Sequence, residues 1–290
     1  MSQGQKVIKY LAIVFAACLT ITILGVVLNI VVSIFGAFIP KSGESKAVKQ
    51  YTETVSSNYS NTFNNVEQIR VDSGVYNVEI INDESIDGVK VVKEGVSNDL
   101  DVSYDEHDKQ LVVEQEGFWN DLFKFNDKHQ SKGKLLIYVE DGLELEKLDI
   151  DMGVGNSRIE GITTEELDID CGVGNLTCKK VVAESADIDG GVGGLKCEDI
   201  SFRDLNLDGG VGEISIAGEL LGTIQISAGM GELNVDINGK RDDYNLKVET
   251  GLGSIIIDGE KYTDTNNYNN NQSNLLDIEG GIGSIRIDFH

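Results

Sequence analysis

One eight-residue pattern recurs through the second half of the chain at almost constant spacing. It reads Leu148-Asp-Ile-Asp-Met-Gly-Val-Gly155, Leu167-Asp-Ile-Asp-Cys-Gly-Val-Gly174, Ala186-Asp-Ile-Asp-Gly-Gly-Val-Gly193 and Leu205-Asn-Leu-Asp-Gly-Gly-Val-Gly212. It continues as Ile224-Gln-Ile-Ser-Ala-Gly-Met-Gly231, Leu246-Lys-Val-Glu-Thr-Gly-Leu-Gly253 and Leu276-Asp-Ile-Glu-Gly-Gly-Ile-Gly283. The first glycines, Gly153, Gly172, Gly191, Gly210 and Gly229, are separated by four steps of 19 residues; Gly251 and Gly281 follow after steps of 22 and 30. Each is answered two residues on, by Gly155, Gly174, Gly193, Gly212, Gly231, Gly253 and Gly283. An outlying copy, Ile69-Arg-Val-Asp-Ser-Gly-Val-Tyr76, has a tyrosine at the second glycine.

Within each unit apolar and polar residues alternate before the glycines and again after them, the mark of a strand with one buried face. Two glycines around one apolar residue supply a tight corner where a β-carbon would clash. One unit of strand, corner and strand is too small to bury its own apolar side. Stacked units share a core, so the expected fold is all-β, a repeat β-solenoid over residues 148–290. Ile150, Ile169, Ile188, Leu207, Ile226, Val248 and Ile278 should form one inward ladder, and the Val, Met, Leu or Ile between the glycines a second. A meander or sandwich is the competing arrangement, because a repeat does not fix how the strands wind.

Residues 63–147 read as an irregular leading part of the same β unit, with strands at Val78–Ile81, Val89–Val92, Leu111–Val113 and Leu135–Val139. They include one aromatic insert, Gly117-Phe-Trp-Asn-Asp-Leu-Phe-Lys-Phe125. Phe118, Leu122 and Phe125 fall on one helical face and suit a cap over an open end of the stack, or a contact with a membrane or partner. Residues 40–62 form a polar stalk.

From Tyr10 to Ile39 no residue is charged. A bilayer core needs ~20 apolar residues, so 10–39 is expected to be one transmembrane helix. The run is too long for a secretory signal. Phe15-Ala16-Ala17-Cys18 does not become a lipoprotein box, because the chain stays apolar beyond it. Residues 1–9, with Lys6 and Lys9, make a short cytoplasmic tail. The remainder is expected outside the cell membrane, although Lys41, Lys46 and Lys49 leave only a slight bias.

Charge removes a class of partner. The 290 residues hold 24 Lys+Arg against 49 Asp+Glu, a net −25. Residues 1–50 account for five bases and one acid, so the part from Tyr51 onward stands at −29. Direct binding to nucleic acid is excluded, because it requires basic side chains on phosphates. Cationic peptides or basic protein surfaces are the expected partners, bound in a salt-dependent way.

The glycine-centred units, the ending Gly281-Ile-Gly-Ser-Ile-Arg-Ile-Asp288 and the apolar segment ahead of them resemble a bacterial family of candidate adhesins of unknown function. The resemblance covers roughly Phe63 to the C-terminus. It implies a bacterial envelope protein, sometimes linked to envelope stress and antimicrobial-peptide responses, and brings no catalytic residues.

Acidic columns are the strongest chemical feature. Asp149, Asp168 and Asp187 form one; Asp151, Asp170, Asp189 and Asp208 form another, extended by Ser227, Glu249 and Glu279. Adjacent coils lie ~4.8 Å apart, so like charges repel. Ca²⁺ could relieve that repulsion, which makes Asp151, Asp170, Asp189 and Asp208 the candidate ligands and a Ca²⁺-dependent adhesin the second reading. Against this, Leu195 and Ile214 occupy the place of the aspartate in Ca²⁺-binding nonapeptide repeats. The simpler reading is a solvated acidic face.

Cys178 and Cys197 share a repeat position and alternate with Thr177 and Lys196, which favours buried thiols, although a disulfide fits the spacing. Cys171 sits in the corner column without a histidine partner. His107, His129 and His290 lie outside the repeats, and Arg158 and Arg203 are isolated. The first reading is therefore non-enzymatic binding or scaffolding at the envelope, with envelope-stress or antimicrobial-peptide sensing as its role, and a carbohydrate-active enzyme is only the third. No cofactor is expected.

Overall fold

In this computed structural model the described residues are 59–96, 100–115, 133–263, 265–267 and 272–290. The tail, the 10–39 segment, most of the stalk and the aromatic insert lie outside them. Among the described residues no helix is long and apolar enough to cross a membrane.

The repeat folds as coils. Strands β10 (Thr163–Val173) and β11 (Leu176–Lys179) make one coil; β12 (Val182–Asp189) and the start of β13 (Leu195–Asp208) make the next. Strand β10 pairs in parallel with β12, with Ile169 opposite Ile188 and Asp170 opposite Asp189. Strand β11 pairs in parallel with β13, with Cys178 opposite Cys197. A 19-residue step therefore superposes like on like. Parallel pairing also settles the winding, because a meander would join neighbouring strands antiparallel.

Two faces run the length of the stack. On the first, β6 (Gln110–Gln115), β2 (Gln68–Asp72), β8 (Glu144–Val154), β10, β12, β13, β15 (Thr223–Met230), β20 (Asn274–Phe289) and β17 (Tyr244–Ile257) lie side by side. On the second, β7 (Lys134–Glu140), β3 (Asn77–Asp83), β9 (Ser157–Glu160), β11, β13, β14 (Ile214–Leu220), β16 (Leu233–Ile237), β20 and β17 do so. The middle follows chain order and the ends do not. The β2–β3 coil sits between β6–β7 and β8–β9, and β20 sits between β15–β16 and β17. The stack therefore extends below residue 148 and takes in most of the region read as irregular.

Each outermost coil is covered by antiparallel strands. Strand β5 (Leu100–Asp105) pairs with β6, β4 (Val89–Glu94) with β7, and β1 (Tyr59–Phe63) with β4. At the other end β18 (Glu260–Tyr262) and β19 (Thr265–Asn267) pair with β17. Unpaired sheet edges recruit foreign strands, so these additions protect both ends. Strand β1 also takes up residues 59–62, the last part of the segment read as stalk.

The first expected inward ladder is present: Ile150, Ile169, Ile188, Leu207, Ile226, Ile278 and Val248 are all buried. Burial of each such side chain stabilises the fold by about 1.5–3 kcal/mol. The second ladder is corrected by the structure. Val192, Val211, Met230 and Ile282 are about half exposed and Leu252 is 70% exposed. Counting by twos from Ile169 would place Val173 inside, but the chain turns at the Gly172-Val173-Gly174 corner and the side chain is left partly exposed. Gly174, at φ 153°, makes that turn in a conformation a side chain would strain.

Candidate functional site

The corner brings glycine backbones into contact. A β-carbon on Gly172 would run into the carbonyl oxygen of Gly153, and one on Gly174 into that of Gly155. With no side chains between them, the corners are joined by backbone hydrogen bonds. Gly174 N–H donates to Val192 O and Gly193 N–H to Val211 O, each at 2.9 Å. Gly212 N–H donates to Met230 O and Gly231 N–H to Ile282 O, also at 2.9 Å. The residues between the glycines consequently stand one above another as an apolar ridge on the outside. In the outlying copy Tyr76 takes the second glycine's place and its ring is buried, so that unit ends differently.

Beside the ridge runs an asparagine ladder. Asn156 N–H donates to Asn77 Oδ1 at 2.8 Å, Asn175 N–H to Asn156 Oδ1 at 3.0 Å, and Gly194 N–H to Asn175 Oδ1 at 2.9 Å. The sequence signal was Gly-Asn closing two successive units; its role is to satisfy backbone donors at the corner.

The two acidic columns differ in a way their spacing hid. Asp149, Asp168 and Asp187 have cationic or amide partners. Arg70 lies 4.0 Å from Asp149, Lys147 Nζ donates to Asp168 at 3.3 Å, and Asn206 Nδ2 donates to Asp187 at 2.9 Å. At the far end Lys247 pairs with Asp277 at 3.1 Å and reaches Glu279 at 3.6 Å and Glu249 at 4.0 Å. In the second column such relief is confined to the ends, where the Arg70 charge acts on Asp151 and Lys247 reaches Glu249 and Glu279. Asp151, Asp170, Asp189 and Asp208 are exposed, stand in register on successive coils, and form no ion pair among the described residues. Burial, then the charges of Asp72, Asp170 and Asp149, push the Asp151 carboxyl up. Partial burial, then Asp187, Asp170 and Asp208, push up Asp189. Among the described residues no three His, Cys, Asp or Glu side chains converge as a metal site. The column lines its carboxylates up in a row.

The thiols of Cys178 and Cys197 are free, buried and opposite each other. Cys171 is half-buried, and desolvation followed by the Asp170 charge pushes its thiol up to about 12. A hydrogen bond with Cys197, then burial, pushes the Cys178 thiol up as well, so Cys171 and Cys178 are poor nucleophiles, since the thiolate is the reactive form. His290 Nε2 lies 3.2 Å from Asp236 at the surface, His107 is in an exposed turn, and His129 lies outside the described residues. Arg158 is paired with Glu160, and Arg203 with Glu184 at 2.7 Å. A cavity beside the ridge, lined by Cys171, Gly191, Leu195 and Ile214, holds about 20 Å³. That is space for a water rather than for a substrate.

Comparison with known proteins adds a family. A solved candidate cell adhesion protein from Clostridium sporogenes aligns with TM-score 0.45 and 18% identity, over 81% of this chain and 99% of that one. A candidate adhesin from Bacteroides fragilis aligns with TM-score 0.44 and 16% identity, over 80% and 96%. No curated protein matches. The model of the Toastrack family, DUF4097, matches residues 66–275, from β2 into the start of β20. With that match spanning most of its length, the chain belongs to the Toastrack DUF4097 family.

Proposed function

We propose that the protein is a non-enzymatic binding scaffold of the bacterial envelope, anchored by residues 10–39, with its coil stack outside and a cationic partner as its ligand. The supporting observation is the middle of the second acidic column, where Asp170, Asp189 and Asp208 stand exposed and in register on successive coils with no ion pair among the described residues. A surface of this kind favours cations over any anionic ligand. It engages them by a row of similar contacts, where an enzyme would use a pocket. Cationic agents that reach the envelope are ligands of matching charge, which connects binding to a stress-sensing role.

Two measurements test this. A C-terminal epitope on intact cells should be reached by antibody without permeabilisation; an epitope that stays hidden reverses the orientation. Immobilised full-length protein should retain a small basic protein at low salt and release it at high salt, where screening shortens the reach of each charge. Retention that ignores salt would overturn the electrostatic basis.

A further inference from the structure

Charge alone does not explain the ridge. Large apolar side chains that reach half exposure on consecutive coils form a continuous strip, and such strips on a folded surface mark contacts. We propose that the ridge and the acidic column beside it form one docking surface for a cationic amphipathic α-helix lying along the stack axis.

Three features define that class. The first is pitch. Val192, Val211, Met230, Ile282 and Leu252 follow one another at the coil spacing of ~4.8 Å. A helix advances ~5.4 Å per turn, so one apolar side chain per turn stays close to step over several coils. An extended peptide repeats its facing side chains at roughly 6.6 Å and falls out of step almost at once.

The second feature is access. Gly191 and Gly193, with their counterparts above and below, flank every ridge residue, so no neighbouring side chain holds a helix away. The third is charge on both sides. Asp170, Asp189 and Asp208 border one flank of the ridge, and Glu213 and Glu232 are exposed on the other. None of these five acids is in an ion pair among the described residues. Lys or Arg on either side of a helical apolar stripe would meet both rows. A second copy of the chain would instead bring acid against acid.

The inference rests on the scaffold reading and deepens it, and the test separates the two. The probe is a labelled peptide of Leu and Lys, patterned to give one apolar face on a helix. Its scramble has the same composition and no such face. Binding is followed by anisotropy with the full chain in neutral detergent, with the same micelles lacking protein as baseline.

The patterned peptide should bind the parent about tenfold or more tightly than the scramble, and lose about tenfold or more with Val192→Ser/Val211→Ser. Asp170→Asn/Asp189→Asn should weaken binding and flatten its salt dependence. Cooperative thermal unfolding with a midpoint no lower than the parent's shows that the variants fold.

Equal, salt-dependent binding of both peptides, untouched by the serine variant, overturns the ridge and leaves the scaffold reading standing. No salt-dependent binding of either peptide overturns both. Binding that emerges only after removal of residues 117–130 assigns the ridge to the chain's own aromatic segment and overturns the proposal. So does a dimer of the parent that the serine variant dissociates.

Discussion

The middle coils and the end coils are built from the same motif and stack by different rules. From β8 to β16 each coil lies on its predecessor, in register at 19 residues except past Cys197, where a bulge in β13 shortens the step to β14 to 18, and contacts are made with the next coil in sequence. At both ends the order is permuted, so that β2–β3 and β20 are each enclosed between two coils. A repeat that buries its core only against neighbours has no inherent stop. The permuted ends supply one, because the outermost coils β6–β7 and β17 continue into antiparallel strands that lie over the edges.

The comparison is broken most severely by removing residues 274–290. Their loss leaves β17 without its parallel neighbour and exposes β15 and β16; loss of cooperative unfolding and self-association in sedimentation are expected. If the truncated protein stays monomeric and cooperative, the enclosed coil is not the stop.

Next is a pair of glycines. Gly193→Val in the middle puts side-chain atoms into the backbone of Gly174 at φ 147°, and denaturant unfolding should show a loss on the order of 4 kcal/mol. Gly259→Ala in the end hairpin has φ 79° and open space around it, so only strain of about 1–2 kcal/mol should appear. Equal losses would mean that the corners are not held by backbone contact.

A buried hydroxyl tests the far end. Tyr244 Oη donates to Leu220 O at 2.7 Å, tying β17 to β14, and Tyr244→Phe should cost about 1 kcal/mol by the same measurement.

The smallest effect concerns pH. Asp151 and Asp189 have folded-state pKa values above the ordinary 3.8, through burial first and neighbouring aspartates second. Their ionised forms therefore oppose folding above the raised value. That opposition is withdrawn as pH falls toward 3.8. Asp189→Asn should raise Tm slightly at neutral pH, and Asp151→Asn, the more buried site, should raise it more; both gains should shrink on acidification. A gain that persists unchanged below the carboxylate range would assign it to packing.

Much of the fold was legible because a 19-residue step with alternating strands permits few arrangements, and the Ile169–Ile188 ladder fell where the alternation put it. The direction of Val192 and Val211 was not legible, since alternation predicts sides only while the strand runs straight, and the glycines end it. The place of β20 was hidden because its unit looks like the others; only the 30-residue step before Gly281 hinted at a detour. The contrast between the acidic columns was equally hidden. It depends on Lys147 and Asn206, which reach Asp168 and Asp187 from adjacent coils, and on Arg70, which reaches Asp149 from a coil out of sequence order.

The enclosed position of β20 also sets a timetable. Residues 274–289 follow both of their neighbours in the chain, so the site between β15–β16 and β17 has to wait until they have been made. Chains that appear N-terminus first can close the middle coils early, whereas the last junction is a late, long-range step. Assembly at that end therefore reports on whether synthesis has passed β20: a chain stopped before it is left with an open seam for quality-control factors to find.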